Sequence, residues 1–450
     1  MRFVVAGGGV AGLASALAVA RAGHDAVVLE RDAPDPAGPP ESAFELDRRG
    51  IPHYFQPHTF LPRGRRLLSE WAPDVLESLA QAGASEQDVA EKLRGPREAG
   101  DEDLVYLWAR RPLVEWALRR AVAAEPAIEL RGGVHVDGLT EDGAVVADGQ
   151  PVPGDHVVDA LGRYRRPPGW PTVDGAQTDC GAVYYCRYFR LRPGAEYLDA
   201  PLLNPRGDLG YLGFNTFRGD NRTFAVIILA PSDDRELRVL RFGPAWQAAC
   251  AAITPLDVMT APEFADPITD VMPMGGLRNV DHTRSTALLA VGDAFCHTDP
   301  AFAYGLSFAL AHARALADAT VEAPGDIAER YRAKAGPESR ERYALACGID
   351  EGRSARWRGE PVNPARPDGN YPLFSFAGAL AAAPHDDQVL RRTVRRIGLL
   401  DRVAVFDEDA ALHDRIARIL AEAGPPQPLG PPRDELLAHL TEALDVRIPD

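Results

Sequence analysis

The chain of 450 residues has little lysine, few cysteines and no long unbroken apolar run. Lys92 and Lys334 are its only lysines, and arginine supplies the remaining positive charge. The five cysteines, Cys180, Cys186, Cys250, Cys296 and Cys347, are odd in number and lack metal-ligand spacing. That excludes a disulfide framework or zinc module as the organising device and points to a reduced, cytoplasmic setting. No apolar stretch reaches the ~18 residues of a membrane span. The N-terminal apolar run begins at Phe3 and is broken by glycines, unlike a signal peptide. Linkers rich in Gly and Ser, low-complexity blocks and internal repeats are also missing, so closely packed domains are expected. The net charge of −16 and pI of about 5.2 disfavour nucleic acid and anionic membranes as partners. What remains is a globular chain, 46% hydrophobic and 25% charged, long enough for two or three domains.

The N-terminus carries the first motif. Arg2 to Ala6 reads as a short buried strand and runs into Gly7-Gly8-Gly9-Val10-Ala11-Gly12. An alanine-rich helix over Leu13–Ala22 follows, closed by Gly23, and a second strand over Ala26–Leu29 ends at Glu30, with Arg31 beside it. Gly7 suits a tight turn, Gly9 a close backbone approach to a pyrophosphate, and Gly12 close packing of helix on strand. Free N–H groups of the helix start, around Val10 and Ala11, attract phosphate. Glu30 stands where an acid meets an adenosine ribose, ~20 residues on. The context predicts a dinucleotide site of the unphosphorylated kind, FAD or NAD.

A second motif lies far downstream. An apolar strand over Thr286–Val291 leads into Gly292-Asp293-Ala294-Phe295-Cys296-His297, then Pro300, Phe302, Tyr304 and Gly305, and a helix over Leu306–Ala319. An Asp at a strand end accepts hydrogen bonds from a ribityl hydroxyl. A glycine before a helix opens its free N–H groups, here at Gly305 and Leu306, to a flavin's pyrimidine edge. In this the sequence resembles the p-hydroxybenzoate hydroxylase-type flavoprotein family of aromatic hydroxylases, epoxidases, halogenases and geranylgeranyl reductases. Gly292, Asp293, Ala294, Pro300 and Gly305 match its second flavin motif. A third matching element is Asp159-Ala160-Leu161-Gly162, where Asp159 and Gly162 take the family positions; alone it reads as a strand and turn. Arg111, in the first turn of a helix, stands where the family often places an FAD-contacting Arg or Gln. An exposed arginine is the competing reading.

The resemblance implies an α/β fold: a Rossmann-like FAD-binding domain of the glutathione reductase type 2, with an inserted antiparallel-sheet substrate domain and a helical C-terminal region. The expected boundaries are 1–180 with 282–325 for FAD, 181–281 for substrate and 326–450 for the helical region. Strands over Ala182–Leu191, Leu209–Thr216 and Arg222–Ala230 are read from alternation and turn residues. Helices are read over Ile327–Ala335, Gln388–Ile397, Ala410–Ala423 and Arg433–Ala443; covering the substrate domain and dimerisation are rival roles for them. Tyr184, Tyr211, Phe214, Phe302 and Tyr304 are candidates for a pocket wall, against ordinary packing. His53 and His58, in a Pro/Gly-rich loop, are candidate proton donors, against a structured loop.

Cys296 departs from the family pattern by standing where many members have His, which comes one place later as His297. Phe302 replaces a small residue. The halogenase Trp-x-Trp-x-Ile-Pro motif is missing, since Gln247-Ala248-Ala249-Cys250 follows Trp246. The expected function is an FAD-dependent monooxygenase. It would hydroxylate or epoxidise an apolar small molecule, in secondary metabolism, through a flavin C4a-hydroperoxide formed with O2. NAD(P)H, directly or through a separate flavin reductase, is the expected electron source. An FAD-dependent dehydrogenase, reductase or oxidase is the alternative, and a non-catalytic flavin-binding protein a further one.

Overall fold

The computed structural model describes the chain except residues 34, 36, 47, 49, 164–166, 172–174, 201–202, 285–287, 361–375, 424–426 and 446–450, and the side chains of 376–377. It divides into two units. The first comprises Met1–Ala84, Ala109–Thr178 and Arg278–Ala346; the second comprises Ser85–Trp108, Asp179–Leu277 and Cys347–Asp450.

A five-stranded sheet organises the first unit. Its strands are β1 (Arg2–Ala6), β2 (Asp25–Glu30), β3 (Ile128–Gly132), β4 (His156–Asp159) and β5 (Leu289–Ala290). The order is β5-β4-β1-β2-β3, and every pair is parallel. Phe3, Val4, Val5 and Ala6 are all buried, as a strand covered on both faces requires. The chain leaves β1 for β2 on one side, while β4 joins β1 on the other. The strand order therefore reverses at β1, and the crevice beyond its C-terminal end is where open α/β sheets take ligands. Register aligns the edge: Ala6 lies beside Leu29 and Asp159, and Asp159 beside Ala290.

Three helices matter to that edge: α1 (Val10–Arg21), α2 (Arg111–Ala124) and α3 (Tyr304–Glu322). Nearly every residue of α1 is buried, and its small side chains let it pack between β2, α2 and α3. Helix α3 starts before the expected Leu306, because the Pro300–Phe302 turn and left-handed Ala303 (φ 55°) deliver the chain to it. The helix expected over Ile327–Ala335 runs on to Trp357 through Pro337. Proline removes one helical hydrogen bond there, but the buried Ser339, Arg342, Leu345 and Ala346 keep the following turns packed.

In the second unit the sheet is antiparallel. Its order is Arg206–Asp208, Gly213–Arg218, Thr223–Pro231, Ala182–Leu191 and Ala265–Pro267. One face carries Tyr185, Phe189, Phe214, Phe224, Val226 and Ile228. It packs on Trp246 and Cys250 of the helix Gly243–Ala251 and on Leu436 and Leu440 of the helix Arg433–Asp445. The last helix is thus part of this unit's core.

Candidate functional site

At the end of β1 the backbone turns with Gly7 at φ +106°, and a Cβ there would lie 2.5 Å from Ala160 O. A Cβ on Gly12 would lie 1.8 Å from Gly7 O. Both positions therefore demand glycine for the turn's own geometry. Gly9 is different. Its φ is −79°, and the nearest protein atom to a Cβ there would be Arg111 Nη2 at 3.7 Å. The protein's own packing does not call for glycine at 9. The same turn meets the other motifs. Ala160 O, under Gly7, comes from the β4 turn, and Gly292 approaches Ala11 so closely that its Cβ would lie 2.6 Å from Ala11 Cβ.

Charge gathers beside this turn. Glu30 is buried, accepting from Gly8 N and Asp32 N, both at 2.9 Å. Arg48 Nη2 lies 3.1 Å from Glu30 and 3.3 Å from Glu115, and its Nε 3.4 Å from Asp32. Burial works against the Arg48 charge, but Glu115, Glu30 and Asp32 outweigh it and raise its pKa. Arg119 Nη2 donates to Gly8 O at 3.2 Å, and burial lowers its pKa. Arg111 donates from Nε to Glu115 at 2.9 Å and from Nη1 to His53 Nε2 at 2.7 Å. Arg31 stands apart, half-exposed and 3.6 Å from Asp32.

The residues of the second motif also converge in the first unit. Asp293 Oδ2 is 3.2 Å from His297 Nδ1, and Arg163 Nη1 pairs with His297 Nε2. Burial alone raises the Asp293 pKa, but His297, His53 and Arg163 hold it well below the usual carboxylate range. Gly292 N donates to His312 Nδ1 at 3.0 Å, and His312 Nε2 meets Ser339 Oγ at 3.1 Å. Burial and then Arg63 press the His312 pKa down to about 3, so this neutral ring holds the Gly292-Asp293 turn. Asp159 serves a turn too, accepting from Leu161 N and Trp170 Nε1, both at 3.1 Å. Gly162 has φ +75° and, like Gly305, has no atom of the described residues beyond its chain neighbours and own helix within 4 Å of a Cβ position. Pro300 opens the short turn before α3, and Leu306 is buried in its first turn. Phe302 is buried and stacks on Tyr304 at 5.5 Å.

His53 and His58 are held neutral. Burial, then the Arg111 cation, lowers His53 to about 2 and His58 to about 3. At neutral pH neither ring carries the extra proton that a cationic acid would donate. His53 Nε2 instead accepts from Arg111, which leaves the proton on Nδ1. His53 Nδ1 and Arg48 Nη1 are both buried without a hydrogen-bond partner. Buried donors without a partner call for an acceptor that a water, ion or ligand supplies. With the space at Gly9, they fit the pyrophosphate-bearing cofactor that the motifs imply.

The pocket candidates of the second unit separate by strand alternation. Tyr184 pairs with Leu229 and faces away from the helices. Phe214 pairs with Ile228, which puts it on the helix-covered face, and Tyr211 packs there too, donating to Pro431 O at 2.7 Å. Phe214 is therefore a core residue, because period-two geometry sends strand neighbours to opposite faces, and Tyr211, just before that strand, packs partly buried against the same core. Tyr188 shares the face of Tyr184. Sequence reading missed Arg48, Glu115, Arg119, Arg163 and His312 as site residues. Only Glu115 had a visible signal, four residues after Arg111 on one helix face.

No protein-family model matches the chain, and no curated protein matches it by sequence. Solved structures do. PqsL, a probable FAD-dependent monooxygenase from Pseudomonas aeruginosa, is 16% identical with a TM-score of 0.55, over 80% of this chain and 98% of that one. The flavin-dependent brominase Bmp2 is 13% identical with a TM-score of 0.54, over 99% of each chain. OxyS anhydrotetracycline hydroxylase from Streptomyces rimosus is 19% identical with a TM-score of 0.51, over 89% of this chain and 76% of that one. The parallel sheet with its glycine turns, the antiparallel sheet and the C-terminal helices together give this chain the fold of FAD-dependent monooxygenases.

Proposed function

We propose that the chain is an FAD-dependent monooxygenase that hydroxylates or epoxidises an apolar small molecule, in secondary metabolism and in the cytoplasm. The observation that carries this reading is the meeting of three turns at one sheet edge: Gly7–Gly12, Asp159–Gly162 and Gly292–Asp293. The backbone of Gly9, Val10 and Ala11 at the start of α1 holds the pyrophosphate, with Arg111 beside it. Glu30 takes the adenosine ribose and Asp293 the ribityl chain. Gly305 and Leu306 offer N–H groups to the pyrimidine edge. Bound FAD, once reduced, supplies the activation of dioxygen, and the protein supplies binding, orientation and exclusion of water. NAD(P)H, directly or through a separate reductase, provides the electrons. The fold shared with FAD-dependent oxygenases supports oxygen transfer over simple dehydrogenation. In the second unit, Tyr184, Cys186, Tyr188, Ile227 and Leu229 form a buried apolar centre on one sheet face, with Arg190 and Arg206 toward its margins, which favours a largely apolar substrate.

The test is isotopic. The FAD-loaded protein, reduced chemically, is mixed with labelled dioxygen and a panel of apolar aromatic compounds, and products are weighed by mass spectrometry. One labelled oxygen atom in a product is expected. An oxidised product without label, with the label in hydrogen peroxide, would convert the reading to an oxidase.

A further inference from the structure

Arg111 is fixed at two points. Its Nε donates to Glu115 at 2.9 Å and its Nη1 to neutral His53 at 2.7 Å. A guanidinium is planar, so two anchored nitrogens set the third. That third nitrogen, Nη2, is the atom 3.7 Å from the Cβ position of Gly9. Glu115 does more than hold this arginine. Its other oxygen lies 3.3 Å from Arg48 Nη2, and Arg48 in turn reaches Glu30. Its side chain is 2% exposed, so water does not replace a lost partner.

One carboxylate thus ties the arginine at the phosphate turn to the arginine at the ribose-binding acid. Three arginines (Arg48, Arg111, Arg119) and three acids (Glu30, Asp32, Glu115) surround the turn. Removing Glu115 leaves Arg111 without its carboxylate partner and the cluster with three arginines against two acids. We propose that Glu115 is the positioning residue of the cofactor's diphosphate site. It contacts no phosphate itself, aiming Arg111 at the Gly9 backbone and keeping Arg48 on Glu30. The inference rests on the FAD reading above.

A double-mutant cycle separates this role from a general structural one. FAD and ADP affinities of the flavin-depleted full-length protein are measured for wild type, Glu115→Gln, Arg111→Ala and the double variant. The unliganded melting temperature is recorded for each. Glu115→Gln is expected to weaken both ligands by roughly 10- to 100-fold, the range for a hydrogen bond to a charged group. In the Arg111→Ala background the same change is expected to cost much less. An undiminished cost in that background, or unchanged affinity in Glu115→Gln, overturns the proposal. Glu115→Asp, which keeps the charge, is expected to restore part of the affinity; a variant as weak as Glu115→Gln counts against it. If wild type binds neither ligand, the FAD reading itself has failed, and the cycle shows that separately.

Discussion

Gly9 and Gly12 stand three residues apart and answer to different neighbours. A methyl group at 12 collides with Gly7 O, whereas a methyl group at 9 meets only ordinary contacts. Gly12→Ala is therefore expected to lower the melting temperature of the flavin-free protein, by an overpacking cost of about 1–3 kcal/mol. Gly9→Ala should leave that temperature within a degree or two and still weaken FAD binding at least about tenfold. Thermal melts and FAD titrations of the two variants check this, and equal effects would remove Gly9 from the phosphate contact. At this scale the glycines, Glu30, Arg111 and Asp293 were legible, because each belongs to a local pattern. Arg48 and Arg163 were not, because their roles depend on side chains that the fold brings together from distant segments. His53 and His58 were visible as a pair, but burial and a neighbouring cation change what they do.

Elements were legible wherever one period persisted. The helix at Arg111 and the strand Ala182–Leu191 begin as read. The sheet face was harder, since a strand's alternation shows two sets without saying which set meets the helices. That ambiguity misplaced Phe214. Long-range ties between elements were invisible as well. Asp101, at the start of the short 3-10 helix Asp101–Asp103, pairs in fork geometry with Arg391 of the helix Asp387–Ile397, at 2.9 Å from both Nε and Nη2. Both residues are buried. Burial alone raises the Asp101 pKa, but hydrogen bonds from Arg391 and the Glu98 backbone pull it below the ordinary value. A depressed carboxylate stabilises the fold above its unfolded pKa of about 3.9 and loses that contribution as pH falls through the folded value. Asp101→Asn is expected to cost about 3–5 kcal/mol at pH 7. The gap from wild type should shrink as pH drops below ~4. Urea denaturation at both pH values checks this, and a pH-independent gap would contradict it.

At the scale of the whole molecule, the order of the first unit's sheet brings the motifs together. The sequence shows three motifs, each more than a hundred residues from the next, and local pattern cannot say that they meet. Their meeting follows from the parallel sheet, in which β1, β2, β4 and β5 all end at one edge and the strand order reverses at β1. The acidic composition was readable from the start. The division of residues 85–108 into the second unit was not, since that segment pairs with partners nearly 300 residues away. If this edge holds FAD, titration of the flavin-free protein, followed by quenching of flavin fluorescence, gives saturable binding of one FAD per chain. FMN and riboflavin bind far more weakly, because they lack the ADP half. No quenching, or equal affinity for FMN, means that the edge is not an FAD site.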